Sequence, residues 1–367
     1  MQNKNRKWVR VIFIIIHIAI VFFFLLVSLV PFLDPGTFWF ISLLGLFYPY
    51  LLAATILCLI ISLLSKSKWA ILSLVALLVS WQQIGALFAF HPSNKFNINK
   101  DESSLRVLSW NVSSWTENQS ATDPVNRMGL RNLMMDAVKE QNADILCFQE
   151  FFESYAPELF PSNIPVLKSM GFNYCYFSPA GKTMNGGLAG GLCIFSKLPI
   201  TDTIFYHAEK GNNSEGISIA DIQFNNKTLR IINTHLESPR LKKQEYGAIG
   251  EVEESRSVFG KVKRAYAKRK EQAAMVQSII DTTKYPVIVC GDFNDVPNSY
   301  AYFKVKDGLQ DAFLKKGFGL GRTFQYISPT LRIDYIFFDP KFTIKQYTKP
   351  SYKYSDHYPQ VADVTIN

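Results

Sequence analysis

The sequence has no CxxC pair and no Cys/His cluster at metal-ligand spacing, which sets aside zinc modules and dithiol redox chemistry. Its five cysteines are scattered. Cys58 lies in an apolar run, Cys147, Cys193 and Cys290 lie in strand-like runs, and Cys175 lies in the aromatic stretch FNYCYF. All five read as small buried hydrophobes. No internal repeat shows at the level of residue identity. Charge is sparse across residues 1–90, where Ile, Leu, Phe, Val, Ala and Trp dominate. The first apolar run also lacks a small-residue cleavage site after its core, so it reads as an uncleaved anchor and not as a signal peptide.

Three apolar runs fill this region, at about residues 11–33, 38–64 and 69–90. The first two exceed the roughly 20 residues a helix needs to cross a bilayer. The third is about as long, but Gln82 and Gln83 weaken it. The spans hold no paired charges. Their one histidine, His17, fits a helix–helix contact better than an ion path, which argues against a transporter. Lys4, Arg6, Lys7 and Arg10 precede the first span, and Lys66 and Lys68 lie between the second and third. The first connection carries only Asp34. By the positive-inside rule the N-terminus is cytoplasmic, and three spans put everything after about residue 95 outside.

Residues 91–104 read as a polar linker, and residues 105–367 have the mixed texture of a water-soluble domain. Strand patterns occur at 105–112, 189–200, 217–224, 228–236, 285–294, 332–339 and 360–366. Residues 131–150 read as a helix, a turn and a buried strand. Many strands with few helices suggest a two-sheet sandwich with helices on its faces. Much of the net charge of +9 sits in residues 240–270, where ten bases face four acids. Helical spacing of Phe259, Val262, Tyr266, Ala273, Val276 and Ile280 makes this segment an amphipathic helix with a basic outer face. That face is either simply solvated or a contact for anionic lipid or a polyanion.

The chemistry-bearing residues gather where strands stop. Asn111, Glu150, Asn233 with His235, and Asp292 with Asn294 end successive strands. Asp334 lies in another strand, and Asp356 and His357 precede the last. Any one of these reads as a turn former. A full set is expected if the strand ends converge on one edge.

The ordered stretches SWNV, CFQE, IFSKLPI, NTHLES, GDFND, RIDYIFF and SDHYP resemble the magnesium-dependent endonuclease/exonuclease/phosphatase superfamily across residues 105–367. That superfamily includes deoxyribonuclease I-like nucleases, sphingomyelinases and inositol-polyphosphate phosphatases. The resemblance implies an α+β fold, a four-layer α/β/β/α sandwich preceded here by about three transmembrane helices. It implies a Mg2+ cofactor, with Mn2+ as substitute, held by Glu150 with Asn111 beside it and Asp356 as a further ligand. It matches Asp292 and Asn294 to the pair that orients water and holds the scissile phosphate. It matches His357 to the active-site histidine partnered by Asp334, and His235 to a second histidine supported by Asn233. Arg332 is expected to contact substrate. The resemblance leaves open whether Asp292 or His357 takes the proton from water, and whether one metal or two are used.

The implied function is hydrolysis of a phosphodiester or phosphomonoester, in nucleic acid or in a lipid headgroup. Phe151 and Phe152 follow Glu150 where the DNA-repair branch carries a hydroxyl residue and a lysine. With the anchor, that departure argues against base-excision repair. A non-catalytic, membrane-tethered binding module would be favoured by loss of Glu150, Asp292, Asn294, Asp334 or His357, and all five are present.

Overall fold

The computed structural model describes residues 2–92, 95–116, 124–156, 158, 160–183, 187–207, 215–240 and 252–366. The N-terminal region forms α1 (Gln2–Ser28), α2 (Trp39–Leu44), α3 (Tyr48–Leu64), α4 (Ala70–Val79) and α5 (Trp81–Leu87). Pro31, Pro35 and Gly36 separate α1 from α2, as residues that cannot continue or readily hold a helix. Two helical stretches, Lys7–Phe32 and Trp39–Leu64, are each long and apolar enough to cross a membrane.

The third apolar run is not the straight span expected. At ten residues α4 is about 15 Å long, and α5 leaves it at 70°. The bend has a polar cause. Ser80 Oγ donates to Ser28 Oγ at 2.9 Å, and Gln83 Nε2 donates to the Ser28 carbonyl at 3.1 Å, so Gln83 satisfies a free carbonyl at the end of α1 while Ser80 holds its last side chain. Three crossings require this bent pair to act as one span. His17 does sit at a helix contact, with its ring nitrogens 2.6 Å from Ser73 Oγ and 3.4 Å from Ser62 Oγ.

The rest of the chain runs β1 (Ala89–Phe90), β2 (Leu105–Asn111), α6 (Pro124–Glu140), β3 (Ile145–Ser154), α7 (Ile164–Ser169), β4 (Tyr174–Thr183) and β5 (Leu188–Ser196). It continues through β6 (Ile200–His207), β7 (Gly216–Phe224), β8 (Lys227–His235), α8 (Val252–Thr282), β9 (Val287–Asp292), α9 (Tyr300–Lys306) and β10 (Gln310–Asp311). It ends with α10 (Ala312–Lys316), β11 (Phe318–Gly319), β12 (Asp334–Phe338), β13 (Phe342–Thr348) and β14 (Gln360–Ile366).

Two six-stranded sheets result, ordered β13-β14-β2-β3-β5-β4 and β10-β12-β9-β8-β7-β6. Their facing surfaces bury Val107, Ile145, Ile194, Ile231, Ile288 and Ile336 among others. Alternate residues of the first sheet, including Leu108, Leu146 and Phe148, pack under Met134, Met135 and Val138 of α6. Alternate residues of the second, including Ile232, Val289 and Phe337, pack under Ala273 and Val276 of α8 and Tyr302 of α9. Covering both faces explains why β2 and β9 are buried at every position. The four-layer sandwich is the architecture expected.

The linker differs from expectation. β1 pairs with β11, so the end of the third apolar run is a strand held by the C-terminal part of the chain. Ser93 and Asn94 lie outside the described residues, but residues beyond them are docked. The buried Arg106 guanidinium holds Asp363 through two bonds of 2.6 and 2.8 Å and donates to the carbonyls of Ile98, Asn97 and Gln141. Phe96 lies 4.8 Å over it. Arg106→Leu would leave the Asp363 carboxylate buried without its cation, with the Gln346 Nε2 bond of 2.6 Å remaining, and should lower the unfolding free energy by about 3–5 kcal/mol. Urea denaturation of the full chain in detergent would measure this, and a loss under about 1 kcal/mol would contradict it.

Candidate active site

Topology brings the site together. β2 and β3 run parallel, as do β8 and β9, so Asn111, His235 and Asp292 end their strands, while Glu150, expected to end one, lies inside β3 just past the point where its pairing with β2 stops. β12 runs antiparallel to β9, which sets its first residue, Asp334, opposite Asp292. β14 runs antiparallel to β2, so the segment before it, carrying His357, arrives beside Asn111. Trp110 Nε1 donates to the His357 carbonyl at 2.9 Å, and Ser355 Oγ donates to the Asn111 carbonyl at 2.8 Å. These two bonds fix the approach of His357.

The local backbone is shaped at three places. Gly291 lies in the ladder, paired with Tyr335 and Thr234. A Cβ there would stand 2.0 Å from the Thr234 carbonyl oxygen, so glycine permits close approach of β8 and β9. Glu150 has φ +49 at the irregularity where pairing with β5 skips from Phe148 to Phe151. Asn294 has φ +52; its N–H donates to Asp292 Oδ1 at 2.8 Å and its Nδ2 to the Leu236 carbonyl at 2.9 Å. Left-handed backbone at non-glycine residues is strained, and here it aims two polar side chains of the same edge.

Asp292 Oδ2 is the centre of the constellation. It accepts from Asn111 Nδ2 at 3.0 Å and lies 3.7 Å from both His235 Nε2 and His357 Nε2. Asn111 Nδ2 also reaches Glu150 Oε1 at 3.2 Å, and His235 Nε2 is 3.9 Å from the same oxygen. His357 Nδ1 lies 3.0 and 3.1 Å from the Asp334 carboxylate oxygens, which orients the ring and leaves Nε2 facing the site. Burial pushes the Asp292 carboxyl up, Asp334 adds to the effect, and the two imidazoles oppose it. Burial disfavours the His357 cation, but Asp334 and Asp292 outweigh it and hold the imidazole well above its ordinary value. His235 is raised in the same way, against burial, by Asp292, Glu150 and Glu215. Both ring nitrogens of His235 are buried without a hydrogen-bond partner. An unsatisfied buried imidazole calls for a ligand.

Ligand atoms of Asp292, Asp334 and His357 lie within 4.8 Å of one another and could hold a metal ion. Because Asp334 and His357 are committed to each other, the oxygens open to an ion are Asp292 Oδ2 and the Glu150 carboxylate, whose side chain is 36% exposed. Carboxylate oxygens of this kind suit a hard divalent cation. Asp356 lines the same cavity, 4.0 Å from His357 Nε2. Asn111 turns its amide nitrogen to the carboxylates while its oxygen accepts from the Ser113 N–H at 3.0 Å. It bridges two acids and supplies no oxygen of its own.

Two expected roles are corrected. Asn233 does not support His235. Its Oδ1 accepts from Gln149 Nε2 at 2.6 Å and its Nδ2 donates to the carbonyls of Phe148 and Cys193, so it ties the two sheets together. Arg332 does not face substrate. It is fully buried, bonded to Asp311 Oδ2 at 2.7 Å and to the Ala86 carbonyl at 2.5 Å, with Phe313, Tyr335 and Tyr302 rings around it.

Four of the ten bases of the basic segment pair with acids from other parts of the chain. Arg269 pairs with the buried Asp295 at 3.0 Å, Lys270 with Asp34 at 2.6 Å, Lys268 with Glu237 at 3.5 Å, and Arg240 with Glu215. Lys242, Lys243, Glu245 and Glu251 lie outside the described residues, as do the side chains of Glu253, Glu254 and Arg256.

A cavity of about 240 Å³ opens over Glu150, Asp292, Asp356 and His357. Its walls include Tyr266 and Arg269 of α8, Phe324, and Leu43 and Leu46 from the N-terminal region. None of these was singled out as a site residue, since hydrophobic spacing gives no sign of which cavity a side chain lines. A larger cavity, about 440 Å³ between α5 and α9, is lined by Trp81, Phe303, Lys306 and Asp307 and lacks any such cluster of acids and imidazoles.

Asn233→Ala would strand Gln149 and two carbonyls between the sheets. It should cost about 2–3 kcal/mol, lowering Tm by roughly 5–10 °C in thermal unfolding. An unchanged melting curve would show that the bond does not hold the sheets.

The model of the Endonuclease/Exonuclease/phosphatase family matches residues 96–357, and a second model, described as a domain of unknown function, matches residues 10–87. No curated protein matches the chain. Among solved structures, an endonuclease/exonuclease/phosphatase from Beutenbergia cavernae DSM 12333 shares 16% identity at a TM-score of 0.52, covering 72% of each chain. The human Nocturnin catalytic domain with bound sulfate shares 19% at 0.52, covering 72% of this chain and 94% of that one. A Bacteroides vulgatus endonuclease/exonuclease/phosphatase shares 17% at 0.51, covering 72% and 99%. These likenesses establish the fold. The matched segment takes in every strand end from Asn111 to His357 and well over half of the sequence. The chain therefore belongs to the Endonuclease/Exonuclease/phosphatase family, whose members are hydrolases of phosphoester bonds and generally depend on a divalent metal.

Proposed function

We propose that this chain is a membrane-held, magnesium-dependent phosphoesterase. The carrying observation is the pair of imidazole Nε2 atoms facing one buried carboxylate oxygen, Asp292 Oδ2, with His235 otherwise unpartnered. Two raised imidazoles offer N–H donors to phosphoryl oxygens, and one carboxylate between them is placed to orient water. Glu150 would hold Mg2+, with Asp356 and Asn111 beside it, which leaves Asp292 Oδ2 to the water. The ion's contribution when bound is to neutralise phosphoryl charge and to template the substrate.

The residues divide the remaining work. The Asn294 N–H fixes Asp292 Oδ1, so Oδ2 alone faces the site and can accept a proton from the attacking water. Asp334 stabilises the His357 cation, which can then donate from Nε2 to a phosphoryl oxygen. Water oxygen bonds to phosphorus, the ester P–O bond breaks, and the leaving alkoxide takes a proton, so water is divided between the two products. Chelation with EDTA should abolish hydrolysis of bis-p-nitrophenyl phosphate by the full chain, and added Mg2+ should restore it. Asp292→Ala and His357→Ala should each lower kcat/KM by about 10²–10⁴. Hydrolysis that survives EDTA and both substitutions would overturn the reading.

An outward catalytic domain is supported by the bases before α1 and between α3 and α4. It is also supported by the Lys270–Asp34 pair, which joins the α1–α2 connection to α8 and so puts both on one side. With α4 and α5 as one bent span, the N-terminus is cytoplasmic. A fluorescent protein fused after Asn367 should stay dark in a bacterial periplasm that does not mature it, and bright fluorescence would reverse the orientation.

A further inference from the structure

Resting on the phosphoesterase reading, we propose that the substrate is a lipid phosphate ester whose apolar chain enters between the helical bundle and the catalytic domain. The cavity has two unlike ends. At one end are Glu150, Asp292, Asp356 and His357, and around the rest are Val262, Val296, Phe324, Ile327, Leu331 and Ile333. Leu43 and Leu46 complete the apolar wall from the first turns of the second membrane-length stretch, Trp39–Leu64. Leu46 and Phe324 pack on Val296, Leu331 and Ile333 as one cluster. The Phe324 ring also meets the His357 ring edge-on at 4.9 Å. An unbroken apolar surface thus runs from the catalytic imidazole to the start of a membrane-length helix.

The loop that forms much of this wall is fastened to the bundle. Tyr50 Oη of α3 lies 2.9 Å from Ser328 Oγ. Between them, Ile327 adopts φ +67, with the Ser328 N–H donating to the Tyr326 carbonyl at 2.8 Å. A β-branched residue in this conformation is a strained outlier. Its side chain is 67% exposed at the cavity rim. Phe38, Phe40, Phe47, Tyr50 and Tyr326 are also exposed on neighbouring segments, the distribution expected at a membrane–water boundary.

A nucleic acid fits this surface poorly. Its sugars and flanking phosphates would be stripped of water against leucine, isoleucine and phenylalanine with nothing to replace the lost bonds. Arg269, the one Lys or Arg among the described residues that lines the cavity, is already paired with Asp295, and its neighbour Lys270 is paired with Asp34. A headgroup phosphate followed by methylenes meets each end of the cavity with matching chemistry. At about 240 Å³ the cavity is smaller than the roughly 300–1,000 Å³ of pockets that enclose a whole ligand. It has room for the headgroup and the first part of a chain whose remainder stays in the bilayer.

The test uses the full chain in nanodiscs with Mg2+. Turnover of phosphatidylglycerol and phosphatidate is compared with that of their chainless counterparts, glycerophosphoglycerol and glycerol 3-phosphate, and with plasmid DNA. p-Nitrophenyl phosphate and bis-p-nitrophenyl phosphate report whether the site works at all. Burying two methylenes is worth about tenfold in affinity, so at least one lipid should exceed its chainless counterpart in kcat/KM by tenfold or more. Ile327→Asp and Leu46→Gln should each shrink that ratio by a similar factor. Short alkylphosphonates below their micellar concentration give a reading independent of turnover. Calorimetric affinity, corrected with empty nanodiscs, should rise from methyl to hexyl by at least tenfold. Cleavage of p-nitrophenyl esters with equal rates on lipid and chainless partners, a flat alkylphosphonate series, or faster cleavage of DNA would overturn the lipid assignment alone. Failure on every ester would remove the phosphoesterase reading and this inference with it.

Discussion

Two sheets packed face to face can slide as well as separate, and a site divided between them tolerates neither. The bond from Gln149 Nε2 to Asn233 Oδ1, 2.6 Å long, crosses the interface one residue before Glu150 and two before His235. Asn233 spends its two N–H groups on carbonyls of β3 and β5, so its own position is fixed from the opposite sheet. Elsewhere the facing surfaces are mostly apolar, with one further crossing bond between Ser178 Oγ and Ser218 Oγ at 2.8 Å, and apolar contacts set spacing without setting register. A directional bond at the polar edge supplies the register. The distances among Glu150, His235 and Asp292 follow from it.

That edge concentrates like charge. Asp292, Asp334, Glu150 and Asp356 face a common space, and two imidazoles stand among them. Burying such a group without partners would be prohibitive. The site answers with pairing across the two sheets, where Asp334 holds His357 and Asn111 separates Glu150 from Asp292. Just behind it the buried Arg269–Asp295 pair steadies the loop that carries Asn294. Strain at Glu150 and Asn294 adds to the burden, and the packed layers on either side offset it.

The central strands and most of the strand-end residues were legible because both depend on short-range pattern. Runs of Val, Ile and Phe mark strands buried on two faces, and the polar residue that ends each run marks the edge. β4, β6 and β13 were not legible. β4 and β13 each lie at the edge of a sheet and carry an irregular register, while β6, also an edge strand, is only partly buried. Arg332 was misread because a base inside a site motif looks like a ligand contact, whereas its partners, Ala86 and Asp311, come from distant segments. Asn233 was misread for a related reason, since a strand-end amide near a histidine gives no hint that it reaches across to the other sheet. Leu43 and Leu46 could not have been found at all from pattern, because a leucine against lipid and a leucine against a catalytic domain look the same in sequence.

The pairing of β1 with β11 removes slack from the join between helices and enzyme. Arg332 reinforces it by grasping the last turn of α5. A domain on a long tether sweeps a volume, and the chance of meeting a target falls as that volume grows. Here the mouth of the site keeps one height and one tilt relative to the helices. On the proposed membrane-held reading, encounter would become a search in two dimensions, governed by lateral diffusion of whatever shares the surface. Selectivity would then include a geometric filter, because a bond held far above that height would not be reached, however well its chemistry suited the carboxylates.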